Sequence, residues 1–321
     1  MLDNLTYESL QAQPTPALDT LTTSDNLANL LRGYLLSCKV EGKSPKTLES
    51  YRQVAVNYIA FAKAHDLPLN APDITPDYIR SYLLSLQEKG LSPFSSSSYY
   101  RTLHAFFSWL KSQGLMKESP MERMKAPKTP RKIIKPFSQQ DIENLLLLCS
   151  GDRFLDIRNK AIVLLFLDTG IRLKELSDIQ LKDVDFDRET IKVMGKGAKE
   201  RIVRFGKTTQ KAVLRYLLRR NDSHPCLWVT EERTPITKEG IQTIVRRLCE
   251  RAGIKDTKLG PHTFRHTAAI NYLRNGGDLF TLQCMLGHST LEMTRRYTSS
   301  LGAEDMIRVH KKASPVDRMG L

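Results

Sequence analysis

The chain has 321 residues, room for two domains, and its 40% hydrophobic content allows ordinary cores and excludes global disorder. Five scattered cysteines (Cys38, Cys149, Cys226, Cys249 and Cys284) contain no CxxC pair, which argues against a disulfide scaffold or a zinc ribbon and fits a reducing cytoplasm. No signal-peptide pattern opens the chain and no apolar run approaches the ~20 residues of a membrane helix, while the net charge of +14 is uneven: residues 1–130 carry 14 basic and 12 acidic side chains, residues 131–321 carry 35 and 23. A basic half beside a near-neutral one points to a polyanion as partner, with a merely soluble basic surface as the plainer alternative.

In chain order, residues 1–23 are polar, contain Pro14 and Pro16, and read as a mobile tail. Asp25 or Asn26 caps a helix through Leu27, Leu30, Leu31 and Leu35. Ser44-Pro45 opens a second, carrying Tyr51, Val54, Tyr58, Ile59 and Phe61, and Thr75-Pro76-Asp77 opens a third, stopped by Gly90. After Ser92-Pro93 and a short serine run, a fourth helix carries Tyr100, Leu103, Phe106, Phe107 and Leu110, and Gly114 ends it. Residues 24–120 are therefore expected to form one helical domain. Residues 121–136 are a basic linker; from Ala126 to Pro136 it holds three prolines and four basic residues and no helical pattern.

Residues 137–300 are expected to form a second domain. Ser138 caps a helix over 141–147, an apolar helix over 159–167 ends near Gly170, and residues 175–179 continue helical. Thr190–Met194 and Arg201–Phe205 alternate and are rich in β-branched residues, and they flank Gly195-Lys196-Gly197-Ala198-Lys199, which predicts a hairpin with a glycine-rich turn. Helices are predicted around 209–218, 238–252, 263–274, 279–286 and 291–298, and a short amphipathic one over 302–312 within a C-terminal tail, residues 301–321. There is no GxGxxG, no Walker loop and no βαβ alternation, so no nucleotide cofactor is expected.

Four local pieces carry chemistry: Thr169-Gly170-Ile171-Arg172-Leu173-Lys174-Glu175-Leu176; the Gly195-Lys196-Gly197 turn with Lys199 and Arg201 after it; His262-Thr263-Phe264-Arg265-His266; and Leu286-Gly287-His288 followed, nine residues beyond His288, by Tyr297. With these in order, the sequence resembles the tyrosine recombinases, or phage-integrase family, including the Xer recombinases. The resemblance spans roughly residues 24–315 and departs at Arg204, where Xer proteins have proline, and at Phe264, in place of the commoner leucine.

The resemblance implies a mainly α fold with a small β-hairpin sheet in the catalytic domain, and a helical, SAM-like core-binding domain before it. It implies a site-specific recombinase that cuts and rejoins double-stranded DNA through a 3′-phosphotyrosyl intermediate. Its catalytic residues would be Arg172, Lys196, His262, Arg265, His288 and Tyr297, with no metal and no cofactor. It further implies a homotetramer on two recombination sites, a monomer when free, and a C-terminal segment that docks on a neighbouring protomer. Only a 23-residue tail precedes the first helix, so a simple Xer-like or mobile-element recombinase is expected.

Elementary chemistry fits these roles. A phenol is a poor nucleophile at neutral pH unless cations stabilise the charge that develops on the phosphate. Two guanidiniums can fork onto non-bridging oxygens, His288 can add a hydrogen bond, Lys196 can protonate the leaving 5′-oxygen, and His262 can help with the tyrosine proton. Glu175, one helical turn beyond Arg172, is placed to orient it. Taken singly, each residue has a plainer role: Arg172 a surface ion pair, Lys196 a solvated turn, Tyr297 a core position four residues after Met293. His262 and His266 have poor spacing for zinc. Two other classes remain: a DNA-binding regulator using residues 278–297 as a helix-turn-helix, which leaves Arg172 and Lys196 unexplained, and a type IB topoisomerase, which the helical first domain disfavours.

Overall fold

Proline at the first helical position, with serine or threonine before it, sets three of the first four helix starts. A computed structural model describes residues 26–130, 134–195, 200–314, 316–317 and 319. The expected tail over 1–23 lies outside the described residues, and so does Lys196. The described residues divide into two compact units that part between residues 131 and 132.

The first unit is helical: α1 (Leu27–Val40), α2 (Pro45–Ala64), α3 (Pro76–Glu88) and α4 (Pro93–Ser112). The Asn26 side chain accepts from the Ala28 N–H, Ser44 from Thr47 and Ser92 from Ser95, each satisfying a donor that the first turn leaves open. Thr75 precedes α3 without a side-chain cap bond. The serine run falls inside α4 and not before it, because Ser92 and Pro93 start the helix and Ser96 and Ser97 turn inward. Small side chains there suit a helix that packs against α1, α2 and α3. The core is aromatic, with Tyr34 tilted on Phe106 at 5.2 Å and Tyr58 edge-on to Tyr82 at 5.3 Å.

The second unit begins with α5 (Gln139–Leu147), where Ser138 and Asp141 form a reciprocal capping box. Next come α6 (Phe154–Thr169) and α7 (Leu173–Asp178). From Ala161 to Leu167 α6 is apolar on every side, and the helix becomes the buried axis, flanked by α8 (Lys207–Arg220) and α10 (Pro261–Arg274). Between α7 and α8 a three-stranded antiparallel sheet runs β1 (Val184–Asp185), β2 (Thr190–Met194), β3 (Glu200–Arg204) in that order. The β2–β3 register pairs Thr190 with Arg204 and Met194 with Glu200. β1 is an addition to the expected hairpin, too short at two residues for a periodic pattern.

The remaining helices are α9 (Lys238–Arg251), α11 (Leu279–Leu286), α12 (Leu291–Arg295) and α13 (Ala303–Ala313). The helix expected over 291–298 stops at Arg295 because Thr298 and Ser299 hydroxyls donate to the Arg295 and Arg296 carbonyls, satisfying oxygens that a continuing helix would use. Phe264 is fully buried, edge-on to Phe137 at 4.8 Å, so the larger side chain fills core space between Phe137 and Phe166 of α6. Arg204 is exposed and pairs with Glu189 at 2.9 Å. Among the described residues, no helix is long and apolar enough to cross a membrane.

Candidate active site

Two glycines shape the ground on which the site is built. Gly170 ends α6 in the left-handed region (φ 59°), and a Cβ there would meet Leu286 Cδ2 at 2.9 Å. Its carbonyl accepts from Arg265 Nη1 at 2.6 Å. Gly287 ends α11 likewise (φ 63°), and a Cβ there would meet the Arg201 side chain at 3.0 Å. The Gly287 carbonyl accepts from Arg172 Nη2 at 3.0 Å. Each arginine of the predicted pair therefore closes on a helix end 95 and 115 residues away in sequence.

Arg172 sits at the N-terminal cap of α7, and its side chain is one-third exposed. Glu175, one turn on, accepts from the Arg172 backbone N–H (2.8 Å) and from Nη1 (2.7 Å). Glu175 is buried and also takes a bidentate pair from Arg201, at 2.6 and 2.7 Å. Burial alone would raise its pKa; the donations from Arg201 and Arg172 outweigh that and hold the carboxyl down at about 2.

Arg265 on α10 is 5% exposed, and among the described residues no carboxylate pairs with it. Its donors go to the Gly170 and Leu286 carbonyls and to His288 Nε2 at 3.0 Å. Burial pushes the guanidinium down to about 10. Arginine can only donate, so His288 Nε2 is an acceptor, and the ring proton lies on Nδ1, 2.9 Å from the Thr294 hydroxyl. Burial first, then the fields of Arg265, Arg296, Arg172 and Arg201, push the His288 pKa down to about 4. The ring is neutral at pH 7, and here it accepts where the sequence reading gave it a donating role.

Tyr297 lies in the break after α12. It is 1% exposed and packs with Ala269, Ile270, Leu273, Leu282 and Leu286. Its ring stacks on His288 (6.0 Å between centroids, 6° between planes) and tilts against His266 at 5.2 Å. Arg296 covers the ring at 5.2 Å, and its Nη2 donates to the hydroxyl at 3.4 Å. Core residue and candidate nucleophile are thus the same side chain. His262, in the first turn of α10, stays exposed at the rim; partial burial and then Lys258, Arg265, Arg296 and Arg172 lower its pKa. The structure brings Arg172, Arg265, His288 and Tyr297 together, sets His262 at their edge, and leaves Lys196 outside the described residues.

Sequence reasoning named Arg201 only as following the glycine turn and gave it no role, and it gave none to Thr294 or Arg296. For Arg201 a signal existed: it shares the inward face of β3 with the buried Val203, and a charge on the buried face of an alternating strand demands a partner. Thr294 and Arg296 carried none, because their roles arise only where the chain turns back after α12.

The model of the phage integrase family matches residues 135–304, and that of the phage integrase N-terminal SAM-like domain matches residues 31–114. A tyrosine recombinase XerC from Thermodesulfovibrio yellowstonii is 35% identical over 226 residues, covering 67% of this chain and 74% of its own. A tyrosine recombinase XerD from Halalkalibacterium halodurans is 31% identical over 281 residues, covering 85% and 94%. Among solved structures, that of the Tn1549 transposon integrase with transposon right end DNA aligns with a TM-score of 0.72 at 17% identity, covering 90% of this chain and 99% of that one, a likeness of fold.

Proposed function

This chain belongs to the phage integrase family, and we propose how its own residues carry out the recombination that membership entails. It is a tyrosine-type site-specific recombinase, an enzyme that cuts and rejoins DNA. In our reading the residues over 24–120 grip DNA as the core-binding domain, and those over 137–300 hold the chemistry. Tyr297 Oη attacks a backbone phosphorus; the new bond to the 3′-phosphate forms as the bond to the 5′-oxygen breaks. The phenol proton passes toward His262, and Lys196 protonates the departing 5′-oxygen. A 5′-hydroxyl from the second site then attacks the phosphotyrosyl phosphorus and returns the proton to Tyr297. The phosphodiester bond energy is kept in the covalent link, so neither ATP nor a metal ion enters the scheme.

The observation that carries this reading is the charge surplus around one carboxylate. Arg172 and Arg201 share a single carboxylate, Glu175, and Arg265 is buried beside them with only carbonyls and an imidazole as partners. Buried cations without counter-ions favour an arriving anion, and paired guanidiniums match the oxygens of a phosphodiester. Against that anion, Arg265 turns its Nη2 from His288 to a phosphate oxygen, and His288, freed and protonated, donates as well. Tyr297 must leave its core site before it attacks, so its burial argues for a resting enzyme that does not cleave at random.

For assembly we read a monomer when free and a homotetramer on two DNA sites, with residues 301–321 docking on a neighbour. Exposed Met306 and Ile307 on α13 support that docking. The test of the chemistry is a nicked suicide substrate. Tyr297→Phe should bind it as the wild type does and give no covalent protein–DNA adduct on a denaturing gel. An adduct of wild-type yield from that variant would overturn the assignment, and full function without any adduct would favour a DNA-binding regulator.

A further inference from the structure

The carboxylate of Glu175 is saturated from two directions. Oε1 accepts from Arg172 Nη1 and Arg201 Nη1; Oε2 accepts from Arg201 Nη2 and the Arg172 backbone N–H. Arg201 then spends its Nε on the Met285 carbonyl at 3.1 Å, and it passes so close beneath Gly287 that a Cβ there would touch it. One side chain from β3 thus ties together the start of α7 and the end of α11. Its side chain is 13% exposed where that of Arg172 is 33%, so Arg201 stands behind Arg172 and not beside it.

We propose that Arg201 is a positioning residue for strand cleavage: by gripping Glu175 and the Met285 carbonyl together, it sets the direction from which Arg172 meets the scissile phosphate. This rests on the reading of Arg172 as a phosphate clamp. The physical ground is geometric. Glu175 aims Arg172, and a carboxylate aimed by a single partner can pivot about that contact. The bidentate fork from Arg201 removes the pivot, which a lysine cannot do. The same fork keeps Glu175 ionised. The charged groups facing Glu175 are Arg172 at the start of α7, Arg201 on β3 and, from α10, Arg265, whose field reaches it. Without Arg201, burial becomes the stronger influence, and the carboxyl takes up a proton in mildly acidic solution.

The experiment compares full-length Arg201→Met and Arg201→Lys with wild type and with Arg172→Lys. It measures DNA affinity, thermal midpoint and single-turnover cleavage of a suicide substrate from about pH 5.5 to about pH 8. Arg201→Met should bind DNA within about twofold of wild type yet cleave more than about tenfold slower. Its rate relative to wild type should fall further toward the acid end. That ratio cancels titrations common to both proteins, that of His262 included, while Arg201→Lys, which keeps the positive charge, controls for the part of Arg201 in lowering the His288 pKa. Arg201→Lys should keep a flatter ratio without recovering the full rate.

Should Arg201→Met fail to fold, Arg201→Met/Glu175→Gln removes the stranded charge; it should fold, cleave slowly and show a ratio independent of pH. A folded Arg201 variant that cleaves within about threefold of wild type, with a parallel pH profile, would refute the proposal while an inactive Arg172→Lys left the clamp standing. A fully active Arg172→Lys would remove the clamp and this inference with it.

Discussion

An imidazole nitrogen that accepts from a guanidinium cannot carry a proton, and His288 is held in that condition by Arg265 on one side and Thr294 on the other. The consequence is a pH dependence with a definite sign. The folded pKa of about 4 lies below the ordinary 6.5, so the folded state resists protonation that the unfolded chain accepts. The stability this contributes is complete above pH 6.5 and is lost as pH falls toward 4, in total ~3 kcal/mol. His262 and His266 are depressed by burial and act in the same direction. Glu175, held at about 2, adds its own loss only below its ordinary 4.5. Urea-unfolding midpoints should therefore decline between about pH 6.5 and about pH 4.5, and His288→Gln should decline less steeply over that window. An unchanged slope in the variant would place the titration elsewhere.

At the scale of elements, the site depends on helix ends. Both glycine stops turn a carbonyl outward to an arginine that the chain reaches much later or much earlier, and α12 ends so that Tyr297 drops into the core. Gly287 carries a second constraint that its backbone conformation does not express. Gly253, which follows α9 at φ 73°, has no atom within 4 Å of the place a Cβ would occupy, whereas Gly287 has the Arg201 side chain at 3.0–3.1 Å. Arg201 cannot yield, because Glu175 and Met285 pin both of its ends. Gly253→Ala should destabilise by about 1 kcal/mol, the backbone strain alone, and leave cleavage unchanged. Gly287→Ala should destabilise by about 2–3 kcal/mol and, on the proposed role of Arg201 behind Arg172, slow cleavage as well. Chemical denaturation and suicide-substrate rates measure the two effects separately, and equal losses in both variants would show that no close approach matters at Gly287.

For the whole molecule, charge is the relevant quantity. Residues 131–321 hold 35 basic against 23 acidic side chains, while residues 1–130 are nearly balanced. If that excess meets DNA phosphates, binding releases counterions, and affinity must fall steeply with salt. For roughly six to ten phosphate contacts, fluorescence anisotropy should show affinity dropping about 10³-fold or more between ~50 and ~200 mM salt. Tyr297→Phe should keep the same slope, because losing a neutral phenol hydroxyl changes no charge in the bound state. A slope near zero would mean that the basic surface serves solubility alone.

Local signals were legible in the sequence. Ser44-Pro45, Ser92-Pro93 and the Ser138/Asp141 box mark helix starts because a cap needs only neighbours three residues away. The β2 and β3 strands were legible from alternation, and the ordered set Arg172, His262, Arg265, His288 and Tyr297 from the motifs around each. The serine run was misplaced because inward-facing serines in α4 are chosen by packing, not by helix propensity. Tertiary structure alone decided how the site is assembled. Arg172 meets the carbonyl of Gly287 across 115 residues, Arg201 meets Glu175 across 26, and both pairings exist only once α7, β3 and α11 have converged. It also decided that Tyr297 is buried and that His288 accepts a bond, since both follow from what surrounds the side chain in space. Short-range geometry is written in adjacent residues; burial and long-range partners depend on which surfaces the folded chain brings into contact.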